Sequence, residues 1–147
     1  MIDKKIISKH IYNDNESQAI KYIRSISDEE SLYVYAFNYN WDNGFEIPTE
    51  IISNKYCTIS VALLMFHLAE GVSFLMNKET INTADDDLKR FITLLYDNVI
   101  NKRYPCGKVA FDPGLTRVQE YKILKNISPE EKVFISSYEG IDCNIYL

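Results

Sequence analysis

Residues 58–71 restrict the architecture of this chain more than any other stretch. Along it, Val61, Leu64, Met65 and Leu68 fall on one side of a helix, and Ile59, Ala62, Leu63 and Phe66 fall on the other. A helix that is apolar on both sides offers no face to water, so it must be the central core helix of its domain. Thr58 is placed to cap it and Gly71 to end it. Its apolar run is interrupted by Ser60 and His67 and falls short of the roughly 20 residues that a membrane span needs. No membrane association is therefore expected. With 147 residues, the chain can bury about two-thirds of the surface its unfolded form would expose.

The remaining start and stop signals predict a mainly α fold of about six helices, in a single domain over residues 1–147. Ala19, Ile20, Ile23 and Ile26 have helical spacing and give a first helix to about Ser25. Ser27-Asp28-Glu29-Glu30 reads as a capping box, opening a second helix to about Asn38 with Leu32, Tyr35, Ala36 and Tyr39 inward. Pro48 suits the first position of a short third helix that runs to Ser53. After the central helix comes a fifth, capped by Asn82 or Thr83, with Asp85, Asp86 and Asp87 in its first turn. Its buried stripe is Ala84, Leu88, Phe91, Ile92, Leu95 and Val99. Residues 104–115 contain Pro105, Gly107 and the turn Asp112-Pro113-Gly114, which predicts an irregular loop. Thr116 caps a further helix to about Asn126, and Ser128-Pro129-Glu130-Glu131 can open one more turn. The C-terminal segment is expected to be extended, or to pair residues 133–135 with 141–145 as a small hairpin.

Charge is unevenly placed. The net charge of −5 argues against a general nucleic-acid binder, which needs a basic surface to follow phosphates. Residues 27–87 hold eleven carboxylates against two basic residues, Lys55 and Lys78. Such a segment is either a solvated face or a docking surface for a basic partner. Asp28, Glu29, Glu30, Asp42, Glu46 and Glu50 are the candidate partner-binding carboxylates. The three cysteines, Cys57, Cys106 and Cys143, form no Cys-x-x-Cys pair, a usage that suits a reducing compartment. The first residues carry no apolar run long enough for a signal peptide, and a cytoplasmic location is expected.

Catalytic and metal chemistry find little support. His67 and Glu70 share a helix face, but a catalytic metal site wants about three protein ligands, and the only other histidine is His10. A core histidine satisfied by a hydrogen bond is the expected reading, with no metal and no cofactor. Cys57 or Ser60 would need His67 as a base within reach. Ser60 and His67 are two turns apart, roughly 10 Å along the helix axis at 1.5 Å per residue. No catalytic residue is assigned.

The stretch from Tyr39 to Pro48 is unusually aromatic for a connection between helices and contains the only tryptophan. Tyr39, Asn40, Trp41, Asp42, Gly44, Phe45 and Pro48 are its expected organisers, with Trp41 packed on the central helix and Asp42 tying the loop backbone. Tyr39-Asn40-Trp41-Asp42-Asn43-Gly44-Phe45-Glu46-Ile47-Pro48, then Cys57, then the apolar helix ending near Gly71, resembles an uncharacterised bacterial domain-of-unknown-function family. Its pattern is Tyr-Asn-Trp-Asp-Asp-Gly-Phe-Glu-x-Pro, followed by Asn-x-x-Cys-Asp-x-Gly-Thr-Ala. Here Asn43 replaces the second Asp, and Thr58-Ile59-Ser60-Val61 replaces Asp-x-Gly-Thr. The resemblance covers residues 32–71 and implies a small, mainly helical bacterial cytoplasmic protein, without a reaction or catalytic residues to transfer.

Small acidic proteins of this type are often immunity partners of antibacterial toxins, an association by type alone. The leading expectation is therefore a protein-binding role, most concretely immunity to, or inhibition of, a basic toxin or effector. One alternative is a small enzyme or ligand-binding protein using a cleft around the Trp41 loop. Another is a structural or oligomeric subunit with no activity of its own.

Overall fold

The computed structural model describes residues 2–147. They are mainly helical: α1 (Lys4–Asn13), α2 (Glu16–Ser25), α3 (Glu29–Asn38), α4 (Glu46–Ser53), α5 (Ile59–Leu68), α6 (Gly71–Met76), α7 (Asp86–Ile100) and α8 (Arg117–Leu124). Three 3-10 segments, Trp41–Asn43, Lys78–Asn82 and Glu130–Ile135, complete the set. Eight α-helices replace the six expected, chiefly because α1 and α6 were not foreseen. Helix α1 is opened by Asp3, whose carboxylate accepts from the amides of Lys5 and Ile6 at 3.0 and 3.3 Å. Ile7 is its one fully buried residue, so the apolar stripe is too narrow to announce the helix.

Helix α5 is the core. Every residue from Ile59 to Phe66 is buried, and α3, α4, α6 and α7 all pack on it. Leu32, Tyr35, Ala36 and Tyr39 point inward from α3, and Phe91, Ile92, Leu95 and Val99 do so from α7. One continuous apolar cluster runs from Ile7 to Phe134. Gly71 does not stop α5 as expected. Glu70 makes the turn instead, with φ of 60°, and Gly71 begins α6. Glycine is needed there for a different reason: a Cβ would collide with the Phe66 ring.

Several caps shift by a residue or more. Asp28, not Ser27, caps α3, accepting from the Ser31 amide at 2.8 Å. Asp85 caps α7, accepting from Leu88 at 2.9 Å, in place of Asn82 or Thr83. Pro48 lies at the third residue of α4 rather than the first, still within the turn whose amides lack helical acceptors. Thr116 does form the full capping box with Gln119.

Of the two C-terminal alternatives, the hairpin of residues 133–135 with 141–145 does not form. Residues 133–135 belong to the last 3-10 segment, and Phe134 is buried with its ring 4.3 Å from that of Phe66. The extended pairing is made by the loop after α7. Phe111 exchanges backbone hydrogen bonds with Tyr138 at 2.9 and 2.8 Å. The Ala110 amide bonds the Ile141 carbonyl at 2.9 Å, and the Ile141 amide bonds the Lys108 carbonyl at 2.8 Å. No described helix is long and apolar enough to cross a membrane.

Candidate functional site

The aromatic loop is folded back on the protein. Trp41 makes edge contacts with Tyr39, Phe45 and Phe91, at centroid distances of 5.5, 5.8 and 5.9 Å. Its ring partners are thus the loop's own Tyr39 and Phe45 together with Phe91 of α7. The ring is only partly buried, yet its Nε1 is sealed from solvent without a hydrogen-bond partner. A sealed donor of this kind costs about 1–3 kcal/mol. Asn40 ties the loop: its side-chain oxygen accepts from the Asp42 amide at 3.0 Å. The Tyr39 hydroxyl donates to the Gly44 carbonyl at 2.7 Å, and Gly44 has φ of 92°, which favours glycine. The Phe45 ring lies tilted against that of Phe91, and Pro48 is buried in α4. Asp42 itself is exposed and contributes its amide to the loop bond.

The polar residues that looked chemical are tied to backbone. The Ser60 hydroxyl donates to the Val109 carbonyl at 2.7 Å. His67 Nε2 lies 2.6 Å from the Phe134 carbonyl, which can only accept, so Nε2 carries the proton. Burial pushes the His67 pKa down against that hydrogen bond, which keeps the ring neutral. Cys57 is buried, and burial followed by the Glu29 charge pushes its thiol far up, away from a reactive thiolate. All three cysteines are free. Among the described residues, no group of three or more His, Cys, Asp and Glu side chains could hold a metal ion.

The six candidate carboxylates fall at the start of α3, at the aromatic loop and along α4. Asp28 caps α3. Glu29 accepts from the amides of Lys108 and Val109 at 2.7 and 3.1 Å, and from the Thr58 hydroxyl. Glu50, on α4, receives a two-pronged hydrogen bond from Arg24 of α2 at 3.0 and 2.7 Å. Asp42 and Glu46 are exposed on and beside the aromatic loop. Glu30, Tyr33 and Phe37 share one face of α3 at helical spacing.

Tyr33 and Phe37 border an open groove of about 790 Å³ between α3 and the C-terminal wrap, residues 104–147. Across from them, Tyr138 and the carboxylates of Asp112, Glu139 and Asp142 line it, and no Lys or Arg does. Phe37 is 40% exposed and the neighbouring Ile141 53%, so part of the apolar surface is open to solvent. The acidic end of α3 reaches the same region. Cys143 lines the groove, and its thiol is pushed up by burial and then by Glu30, Glu29 and Asp28, with Lys4 opposing. Asp112, Glu139 and Asp142 were missed because they lie outside the acidic segment of the sequence and share no periodic element.

A protein with this arrangement is a helical domain that keeps an acidic, aromatic groove open beside a latched C-terminal segment. The chain belongs to the domain-of-unknown-function family DUF4274, whose model matches residues 27–100, from just before α3 to the end of α7. No curated protein and no solved structure matches it.

Proposed function

We propose that this protein binds a basic protein partner through the groove between α3 and the C-terminal wrap. In its most concrete form, it is a bacterial immunity or inhibitor protein that neutralises a basic toxin or effector in the cytoplasm. The observation that carries this reading is the pairing of exposed aromatic surface with carboxylates of one sign. Phe37, Tyr33 and Tyr138 supply area to bury, and Asp112, Glu139 and Asp142 face it without a lining cation. Aromatic residues dominate the buried centres of protein interfaces, whereas charges at the rim steer and orient the approach. Asp112 also turns its own loop, by accepting from the Gly114 amide at 2.8 Å. Glu139 and Asp142 are exposed.

Capture from the native host, followed by mass spectrometry, identifies the partner. Its association is then measured with the triple variant Asp112→Asn, Glu139→Gln, Asp142→Asn. Exposed charges add only ~0–1 kcal/mol to stability, so melting should barely change. Association should slow by ~10-fold or more at low salt and converge with the parent at high salt. Indifference of the rate to both salt and these substitutions would overturn the reading.

A further inference from the structure

A second concavity, of about 460 Å³, opens where the C-terminal ends of α1 and α3 meet the start of α2, beside the aromatic loop. The helix ends set its sign. The last carbonyls of α1 and α3 present the negative ends of two helix dipoles. The start of α2, the one helix end here of positive sign, has amides already satisfied by its own capping box, in which Asn15 and Gln18 exchange hydrogen bonds at 2.9 and 3.0 Å. Asp14 and Glu16 add formal negative charge, and no Lys or Arg lines the space. Asp14 is held in place by His10, with Nδ1 to Oδ2 at 2.6 Å, and the His10 ring stacks on Tyr22.

An independent observation comes from Tyr35. This side chain is 2% exposed and lines the cleft, but its hydroxyl has no hydrogen-bond partner among the described residues. The hydroxyl is not sealed, since Trp41 Nε1 is the described side-chain atom buried without a partner. It therefore reaches the accessible space that Tyr35 borders. An oxygen that opens onto such a space without a protein partner is bonded there by water or by a ligand. The contrast with Tyr39 is informative, because that hydroxyl is spent on the Gly44 carbonyl. Burial, and then the nearby Asp14, keep the Tyr35 phenol from ionising, so it stays a neutral donor and acceptor. Asn38 spends its amide nitrogen on the carbonyls of Val34 and Ile145, at 2.9 and 2.7 Å, which leaves its side-chain oxygen as an acceptor.

We propose that this cleft binds a small organic cation, an ammonium or guanidinium group. The Tyr35 hydroxyl and the Asn38 side-chain oxygen accept its hydrogen bonds, and Asp14 and Glu16 balance its charge. The volume lies within the range for small-molecule sites. Such a group belongs either to a free amine or to a Lys or Arg side chain of a partner, and the site is separate from the groove described above.

The test is calorimetric titration of the full chain with putrescine, N-acetyl-lysine methylamide and N-acetyl-arginine methylamide. The uncharged isostere 1,4-butanediol serves as the control. At least one cation should bind saturably, and butanediol should not. Tyr35→Phe removes only the hydroxyl, and Glu16→Gln removes an exposed charge that makes no side-chain hydrogen bond or ion pair among the described residues; affinity should fall ~10-fold in either variant. Tighter binding of putrescine assigns a free amine, and tighter binding of a capped amino acid assigns a partner side chain. The groove triple variant should bind the cation as the parent does, which keeps the two sites distinguishable. The proposal is overturned if no cation saturates, if butanediol binds equally, or if affinity is unchanged in both cleft variants.

Discussion

The central helices α3, α5 and α7 and the C-terminal wrap, residues 104–147, are held by different forces. The helices interlock through apolar side chains, with all of Ile59 to Phe66 buried between them. The wrap has little apolar periodicity, and polar side chains of the helices fasten its backbone. Glu29 holds the amides of Lys108 and Val109, Ser60 holds the Val109 carbonyl, His67 the Phe134 carbonyl and Asn38 the Ile145 carbonyl. Gly107 lies so close to Glu29 that a Cβ would meet the carboxylate. Within the wrap, Glu131 is a further fastening. It is buried and accepts from the Tyr96 hydroxyl at 2.6 Å and the Ser128 amide at 2.9 Å, beside Lys78 Nζ at 3.1 Å. Burial pushes its carboxyl up, but those partners outweigh burial and hold it below the ordinary range. The lesson concerns function as much as folding. A polar residue on a core helix looks like catalytic equipment in a sequence, while here it is a latch for backbone whose own pairing is limited to two isolated bridges.

The strongest way to break this comparison is to damage the apolar half. Leu32 on α3 is fully buried, and Leu32→Ala should cost ~2–5 kcal/mol, lowering the whole denaturation transition followed by circular dichroism and Trp41 fluorescence. A loss well under 1 kcal/mol would mean that α3 and α5 are not packed as described.

A smaller and local effect is expected from Glu29→Ala. It strands two amides and a hydroxyl, a penalty of ~1–3 kcal/mol. Amide exchange should speed up at residues 108–111 and 138–141 while α5 keeps its protection. Uniform loss of protection would instead make Glu29 part of the central core.

The smallest effect is a pH dependence from His67. Its folded pKa is lowered, so between that value and the ordinary ~6.5 the unfolded chain binds more protons than the folded one. Stability from this residue is complete above pH ~6.5 and declines as pH falls toward the lowered folded value. His67→Gln can still donate to the Phe134 carbonyl without titrating. The difference in melting temperature between parent and variant, followed from pH 7.5 down to 5, should therefore vary with pH. A constant difference would show that His67 does not titrate between the two states.

Legibility followed the same division. The inward residues of α3, the buried length of α5 and the stripe of α7 were readable, because apolar periodicity is the signal of a face removed from water. Caps were less certain wherever polar residues run together: Asp28 and Asp85 serve where Ser27 and Asn82 or Thr83 were equally suited. Gly71 was readable as a break, but its role is the close approach of Phe66 rather than the end of α5. The groove was illegible. Tyr33 and Phe37 come from one helix, and Asp112, Tyr138, Glu139 and Asp142 come from loops far along the chain. The hydroxyl of Tyr35 was equally hidden, since its spacing marks a core residue and nothing local says that its oxygen lacks a partner.

The sequence by itself determined that the chain is mainly helical, that α5 lies at its centre, and that residues 32–71 resemble an uncharacterised domain family. Those properties follow from local periodicity and motif, which neighbouring residues carry between them. Tertiary structure decided which polar groups are free to act. Whether Glu29, Ser60, His67 or Tyr35 is spent on a backbone partner or open to a ligand depends on which distant segment arrives beside it, and a hydrogen bond between residues 80 positions apart leaves no periodic trace.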